Sequence, residues 1–485
     1  MATVEIFAAI TEHPPPAMAA RRPGLYSATT IWQSFLAIAV LPLHVISPNI
    51  GLLARAVVQT PIIWSARFDS LTPLLLTSLS WQSFQGASVR GMYTDSATGL
   101  EGYAYIFGVS LMILRYMVFR GAYPQLPGKP LIDRRFAVLV LLIVFTLIAA
   151  YRGAVAGERG WSSPFRATLT AGGFFYGVIL AHTYGPSVKL LSGFFLPAGL
   201  IFYGLSSLGY LDHRLIWTLA PFVSAAATYI LVTRPFSPAG VVAAVTFAIS
   251  CWRCVLGPWS TGTLLLLWIS GALTAIFATR QVLGIGRILR RPLVVIVATA
   301  MIMTTAYVTL NKDTMEAEEV TREQSLSKYM WWKMVEDRGL IWSQAMTAFA
   351  SRPVADILFV PGGQSIEMLY KGRAYNVKIG LHNAYLEVLY YMGLVPGGVL
   401  CCFIFLFCWD CLKALGEKMP ADIEIMAFGV LITAIVGGFS GQYFIHQEGG
   451  TWFYLPAGIV SGFYLRHRAQ ANRPALLPHP LSAAG

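Results

Sequence analysis

Residues 136–152 read FAVLVLLIVFTLIAAYR, an apolar run entered through Arg134-Arg135 and left at Arg152. A bilayer core about 30 Å thick asks for about 20 mostly apolar residues in a spanning helix. Hydrocarbon offers no partner to a peptide group, so such a run satisfies its own backbone only as a helix. Working outward, comparable runs occupy 30–47, 50–66, 68–85, 101–119, 166–184, 188–209, 214–233, 238–256, 261–279, 292–310, 382–409, 421–440 and 449–466. The run at 50–66 is short and carries Arg55, which suits the return arm of a hairpin turning at Pro48-Asn49. The predicted fold is an all-α polytopic membrane protein of about 12–14 transmembrane helices, with one large, partly helical periplasmic loop.

Composition excludes the soluble alternative. Of 485 residues, 56% are hydrophobic and 12% charged, where a soluble domain carries about 25% charged residues. The length would accommodate three soluble domains of about 150 residues each, but they could not keep so much apolar surface from water. The cysteines Cys251, Cys254, Cys401, Cys402, Cys408 and Cys411 fall within or at the edges of apolar runs. Cys251–Cys254 and Cys408–Cys411 have the spacing of half a zinc site. No histidine or second pair stands nearby at ligand spacing, so apolar packing is expected, with no disulfide framework and no metal site.

Lys plus Arg exceeds Asp plus Glu by 35 to 23, an excess that suits loops lying on anionic lipid. With the N-terminus inside, the outer short loops and span ends hold only Arg55, Arg90, Arg152, Arg159, Arg166, Arg214 and Arg253. The far larger basic set, including Arg134, Arg135, Lys413 and the cluster Arg280, Arg287, Arg290 and Arg291, falls inside. The positive-inside rule for short loops then puts both termini in the cytoplasm and 311–380 on the outer face. Aromatic residues do not interleave with the basic cluster, so it reads as headgroup contact and no nucleic-acid partner is expected. The organisation is a disordered cytoplasmic tail at 1–29, without the h-region of a cleavable signal, then membrane helices at 30–310. The large loop at 311–380, helices at 381–466 and a cytoplasmic tail at 467–485 follow.

The loop opens with Asp313, Glu316, Glu318, Glu319 and Glu323, and continues as a helical pattern through Trp331, Trp332, Val335 and Trp342. Tryptophans at that spacing predict an amphipathic helix on the bilayer surface, where indoles are enriched. A Pro/Gly-rich stretch from Pro353 to Gly363 and a basic approach from Lys371 to Lys378 complete it. A connection this long is functional or disordered more often than merely a connection.

Ionisable groups within a membrane mark function because they are costly there. None of the 23 acids falls in the middle of a predicted span; Glu101, Glu387 and Asp422 sit at span ends. That distribution, with no visible internal repeat, argues against an ion-coupled transporter. His44 and His182 lie inside spans and read as helix-packing hydrogen-bond donors. At the entry to the span after the loop stands Gly380-Leu381-His382-Asn383-Ala384-Tyr385-Leu386-Glu387. Asn383 is a good N-cap and Glu387 complements the helix dipole. His382 is open to two readings: a residue that ends the loop at the interface, or an imidazole kept neutral by the helix end and competent as a general base. Upstream, Arg338-Gly339-Leu340-Ile341-Trp342 offers either a solvated surface charge or a guanidinium fork that grips phosphate.

Taken together, the Arg-Gly-x-x-Trp helix, the loop with Pro353, Pro361, Gly362 and Gly363, and His-Asn-x-Tyr-Leu-x-x-Leu-x-x-x-Gly resemble the O-antigen ligase and O-antigen polymerase superfamily. The motif covers Arg338 to about Gly398, and many spans with one late outer loop agree with it. The resemblance implies a bacterial inner-membrane glycosyltransferase with a periplasmic active site that uses an undecaprenyl-diphosphate-linked glycan and needs no metal, nucleotide or other cofactor. By that resemblance Arg338 holds the donor diphosphate, His382 takes or orients the acceptor proton, and Asn383 lies in the substrate site. Polymerases of this type often work beside a chain-length regulator. The family commonly has a second arginine in a Ser-Arg-Gly context near an earlier span end; here that stretch reads Ser260-Thr261-Gly262. Arg253, Arg159, Arg166 and Arg214 are the candidates to replace it. Polymerisation of O-antigen or exopolysaccharide repeats is the first expectation and ligation to lipid A core the second. A lipid-linked polysaccharide flippase is the alternative from another class.

Overall fold

The computed structural model describes residues 134–156, 171–184, 195–207, 214–256, 337–360, 366–370, 373–377, 381–417, 419–440 and 447–471, with isolated positions at 50, 53, 54, 57, 168, 274 and 444. The predicted spans at 30–47, 50–66, 68–85, 101–119, 261–279 and 292–310 lie essentially outside these residues. So do His44, Arg159, Arg166, Trp331, Trp332 and the acidic stretch from Asp313 to Glu323.

What is described is helical, apart from one short hairpin. The apolar run that opens the reading forms α1 (Arg134–Val155). It is followed by α2 (Gly173–Tyr184), α3 (Leu196–Ser207), α4 (Arg214–Thr233) and α5 (Pro238–Leu256). The turn between α4 and α5 is written locally. Ser237 Oγ accepts from the Gly240 amide at 3.0 Å, and Pro238 occupies the first helical position, where a missing N–H costs nothing. In the predicted outer loop lie α6 (Asp337–Ala350), α7 (Val354–Leu358) and the strands β1 (Ile366–Tyr370) and β2 (Arg373–Val377). The strands pair antiparallel from Ile366 opposite Val377 to Tyr370 opposite Arg373. Lys371-Gly372 between them has the glycine-bearing, two-residue length that tight hairpins favour. The chain then runs through α8 (Ala384–Met392), α9 (Leu394–Gly416), α10 (Ala421–Ile432), a π-turn (Thr433–Gly437), α11 (Gly438–Ser440) and α12 (Gln447–Ala471).

Among the described residues, α1 and α9 are long and apolar enough to cross a membrane. One face of α1 is buried through Leu139, Leu142, Thr146 and Ala149, while Val140, Leu141, Val144, Leu147 and Ile148 stand exposed on the other. An exposed face made of branched aliphatics would be an aggregation hazard in water. In lipid it is the expected outer surface.

α1 and α9 run antiparallel, and an arginine near each end of α1 is paired. Near the start of α1, Arg135 forms a two-pronged pair with Asp410 near the end of α9, at 2.7 Å to Oδ2 and 2.5 Å to Oδ1. At the other end, Arg152 donates to the carbonyls of Ala355 and Phe359 and pairs with Asp356 at 2.7 Å. Arg152 thereby adds a donor at the C-terminal end of α7, where the Ala355 carbonyl also accepts from the Phe359 amide at 3.1 Å. The helix pair thus separates Arg135 from Arg152, and the α6–α7 segment sits at the Arg152 end.

The core is aromatic and closely stacked. Phe174 of α2 meets Phe403 at 5.1 Å and Phe407 at 5.6 Å on α9, and Phe407 meets Phe453 of α12 at 5.2 Å. Cys411 is buried within this core, with Cys401 and Cys408 packed against it. α2 and α12 approach most closely, because Gly177 faces Gly458 and Gly462 faces Ala181. A methyl at Gly177 would lie 2.8 Å from the Ile459 nitrogen, and one at Gly462 would lie 2.7 Å from Ala181 Cβ. Such small-residue spacing lets helix backbones touch, the usual basis of helix association in lipid.

Three expectations change. The single span predicted at 382–409 is two helices, broken at Gly393, whose φ of 90° is a conformation only glycine adopts without strain. The break lets Val360 N donate to Met392 O at 3.3 Å, docking the loop onto the joint. Asp410, one residue past that predicted span, lies inside α9 and is buried. The helix extends seven residues beyond the run because Arg135 neutralises the charge. Finally, Trp342 does not lie on a surface: it is buried at 3% exposure, inside a small second core with Ile341, Ala345, Phe349, Val360, Leu381 and Tyr390.

Candidate functional site

On α6, Arg338, Ile341, Trp342, Ala345 and Phe349 recur at helical spacing and all are buried. Arg338 is one turn before Trp342, so the two share a face. Arg338 is only 8% exposed, which removes the solvated-charge reading. Trp342 Nε1 donates to the Leu381 carbonyl at 2.7 Å. Leu381 directly precedes His382, so this bond ties α6, one turn after Arg338, to the His-Asn turn.

The turn has an unusual backbone. His382 has φ of 52°, and it is the one non-glycine residue with positive φ among the described residues. For a residue with Cβ this region costs on the order of 1–2 kcal/mol, although histidine is among the types that enter it more readily. The strain reverses the chain within one residue, so that Leu381 enters the small core and Asn383 caps α8. Leu381 and Asn383 are both fully buried, and His382 between them is partly exposed. Sparsely populated backbone held by fully determined neighbours is a mark of functional sites.

Asn383 acts as the sequence predicts. Its Oδ1 accepts from the amides of Tyr385 and Leu386, each at 3.1 Å. Those two bonds also settle which atom is oxygen, and they leave Nδ2 buried with no hydrogen-bond partner among the described residues. Glu387, in the first turn of α8, is buried. The α6 C-terminus is clamped to the same helix, because Arg352 donates to the Tyr390 carbonyl at 3.0 Å and lies 4.2 Å over its ring. The Tyr390 ring serves as a platform for that guanidinium.

The structure therefore gathers the Arg338 face of α6, His382 and Asn383 at one end of the α1–α9 pair, the end marked by Arg152. Arg253 lies in α5, with its side chain outside the described residues, as are Arg159 and Arg166 altogether. Arg152 and Arg352 are parts of this region that the sequence reading did not single out. The spacing from Arg152 to the Pro353-Val-Ala-Asp356 turn is too long for any local pattern to disclose, whereas Arg352 beside Pro353 carried a weak signal. A buried guanidinium on α6 and a partly exposed imidazole at the turn to which α6 is tied are groups suited to an anionic ligand and to proton transfer. Compared with known proteins, the chain matches no family model and no curated protein.

Proposed function

We propose that the protein is a multi-pass inner-membrane glycosyltransferase. It transfers a glycan from undecaprenyl diphosphate to a sugar hydroxyl on the periplasmic face, extending O-antigen or exopolysaccharide repeats. The observation that supports this reading is the Trp342–Leu381 bond, which ties α6, one turn after Arg338, to the His382 turn. The exposed aliphatic face of α1 supports a lipid environment.

In this mechanism the acceptor hydroxyl oxygen attacks the anomeric carbon of the donor. The bond from that carbon to the diphosphate oxygen breaks, and undecaprenyl diphosphate leaves with the electron pair. Arg338 holds the charge that accumulates on the diphosphate, in a partly desolvated setting where such a contact is strong. His382 accepts the hydroxyl proton, and Asn383 Nδ2 offers a fixed donor to a substrate oxygen. The leaving group is already activated, so charge stabilisation matters more than a strong acid.

The test is purified protein in detergent with an undecaprenyl-diphosphate-linked repeat unit, assayed for chain extension and freed lipid diphosphate. Extension to a ladder is the expected result. Transfer only to added lipid A core assigns the protein to ligation instead. Consumption of neither substrate under conditions where the lipid-linked glycan changes leaflet in vesicles would replace the enzyme with a flippase.

A further inference from the structure

The tyrosine of the His-Asn-x-Tyr motif has no role in the mechanism above, yet it is the residue that connects the His382 turn to the closing helices. Tyr385 is in the first turn of α8, and its hydroxyl donates to the Ala434 carbonyl at 2.9 Å. Ala434 lies inside the π-turn Thr433–Gly437. There the Gly438 amide reaches back to Thr433 O, so the helix is widened by one residue, a deformation frequent at functional sites. Its local cause is visible: Thr433 Oγ1 donates to the Gly429 carbonyl at 2.7 Å, a back-bond that bends helices, and Gly437-Gly438 follows. The Tyr385 ring is held by Phe439 at 5.0 Å and Phe444 at 4.9 Å. It passes over Gly438, where a methyl would lie 2.6 Å from Tyr385 Cε2.

We infer that Tyr385 is a positioning residue, whose hydroxyl anchors α8 to the π-turn and so sets where the His382 turn sits relative to the Arg338 face. The geometry gives the reason. α8 is short and packs on α9 through Val388 and Gly397 near the Gly393 joint, at the opposite end of the helix from the His382 turn. Trp342 holds the turn from the loop side, and Tyr385 holds it from the membrane-helix side. The inference rests on the transfer reading for its kinetic consequence, but not for its structural one.

The experiment compares wild type with Tyr385→Phe, which keeps both ring contacts and removes one oxygen. A single hydrogen bond corresponds to about a tenfold effect. With an undecaprenyl-diphosphate-linked repeat unit as substrate, kcat should fall by about tenfold with KM unchanged. In a His382→Ala background the same change should lower the residual rate no further, the coupling expected of a residue acting through the imidazole. Amide exchange over 381–392 should quicken by about tenfold in Tyr385→Phe while α12 stays unchanged. Gly438→Ala, which displaces the ring, should shift exchange the same way. If wild type transfers nothing, the proposed function fails and the exchange result alone decides the positioning role. If wild type transfers but kcat and exchange are unaltered in Tyr385→Phe, the positioning role is wrong and the proposed function stands.

Discussion

Replacing Trp342 with phenylalanine tests the contact on which the site depends. The substitution keeps an aromatic ring in the second core and deletes the donor to Leu381. Both residues are buried, Trp342 at 3% and Leu381 at 0%, so the carbonyl is left without water to replace the 2.7 Å bond. A stranded buried acceptor costs about 1–3 kcal/mol. The lost ring area adds on the order of 1 kcal/mol at 25 cal/mol per Å². A local penalty of about 3 kcal/mol raises the open population of the α6–turn contact by about 100-fold. Hydrogen exchange in detergent micelles reads this directly. Peptides covering 381–392 should exchange about 100-fold faster, because the Tyr385 and Leu386 amides rely on the cap that this turn supports. Peptides from α2 and α12, on the far side of the core, should not change. Unaltered exchange at 381–392, or equal acceleration everywhere, would refute the idea that Trp342 pins this turn. As a control, Thr347→Ala removes an exposed hydroxyl bond within α6 and should leave the turn as it is.

Three further predictions follow from other parts of the structure. His382→Gly relieves the positive φ and should hold or raise thermal stability by about 1 kcal/mol while cutting glycan transfer to a small residual rate; a large fall in melting temperature would contradict the strain at this position. Arg338→Ala should abolish transfer with expression and insertion intact, and Arg338→Lys should not restore it, because an ammonium lacks the planar fork; a wild-type glycan length distribution in either variant would remove the assignment. Asp410→Ala leaves Arg135, only 15% exposed in its side chain, without its carboxylate partner, and should destabilise by about 3–5 kcal/mol. The double change Arg135→Met with Asp410→Leu should recover most of that loss, as measured by retention of monodisperse protein on heating in detergent.

The helices were legible where the local signal was self-sufficient. Runs 214–233 and 238–256 became α4 and α5 with the same ends, because Pro235, Ser237 and Pro238 specify the turn without help from distant residues. Asn383 was legible as a cap and Glu387 as a first-turn acid for the same reason, since a cap acts within three residues. The close pass of α2 along α12 uses Gly177 and Ala181 with Gly458 and Gly462 at four-residue spacing, a pattern that the reading by apolar runs passes over. Such a pattern names a contact face, although it does not name the partner. Trp342 was misplaced because a helical spacing of tryptophans is the same whether the indoles meet lipid headgroups or a second core. Only the Leu381 carbonyl on the far side of the loop separates those cases.

By itself the sequence determined that apolar helices dominate and which residues can end them. These are properties of single peptide groups and single turns, fixed by composition and by spacing within a few residues. Tertiary structure alone decided that the run at 382–409 breaks at Gly393, that Arg152 binds the end of α7, that Arg135 pairs with a buried Asp410, and that Trp342 reaches the Leu381 carbonyl. Each depends on groups far apart in the chain meeting in a low-dielectric interior. There an unpaired charge or carbonyl is too costly to leave, and the partner that satisfies it is chosen by the packing of whole helices.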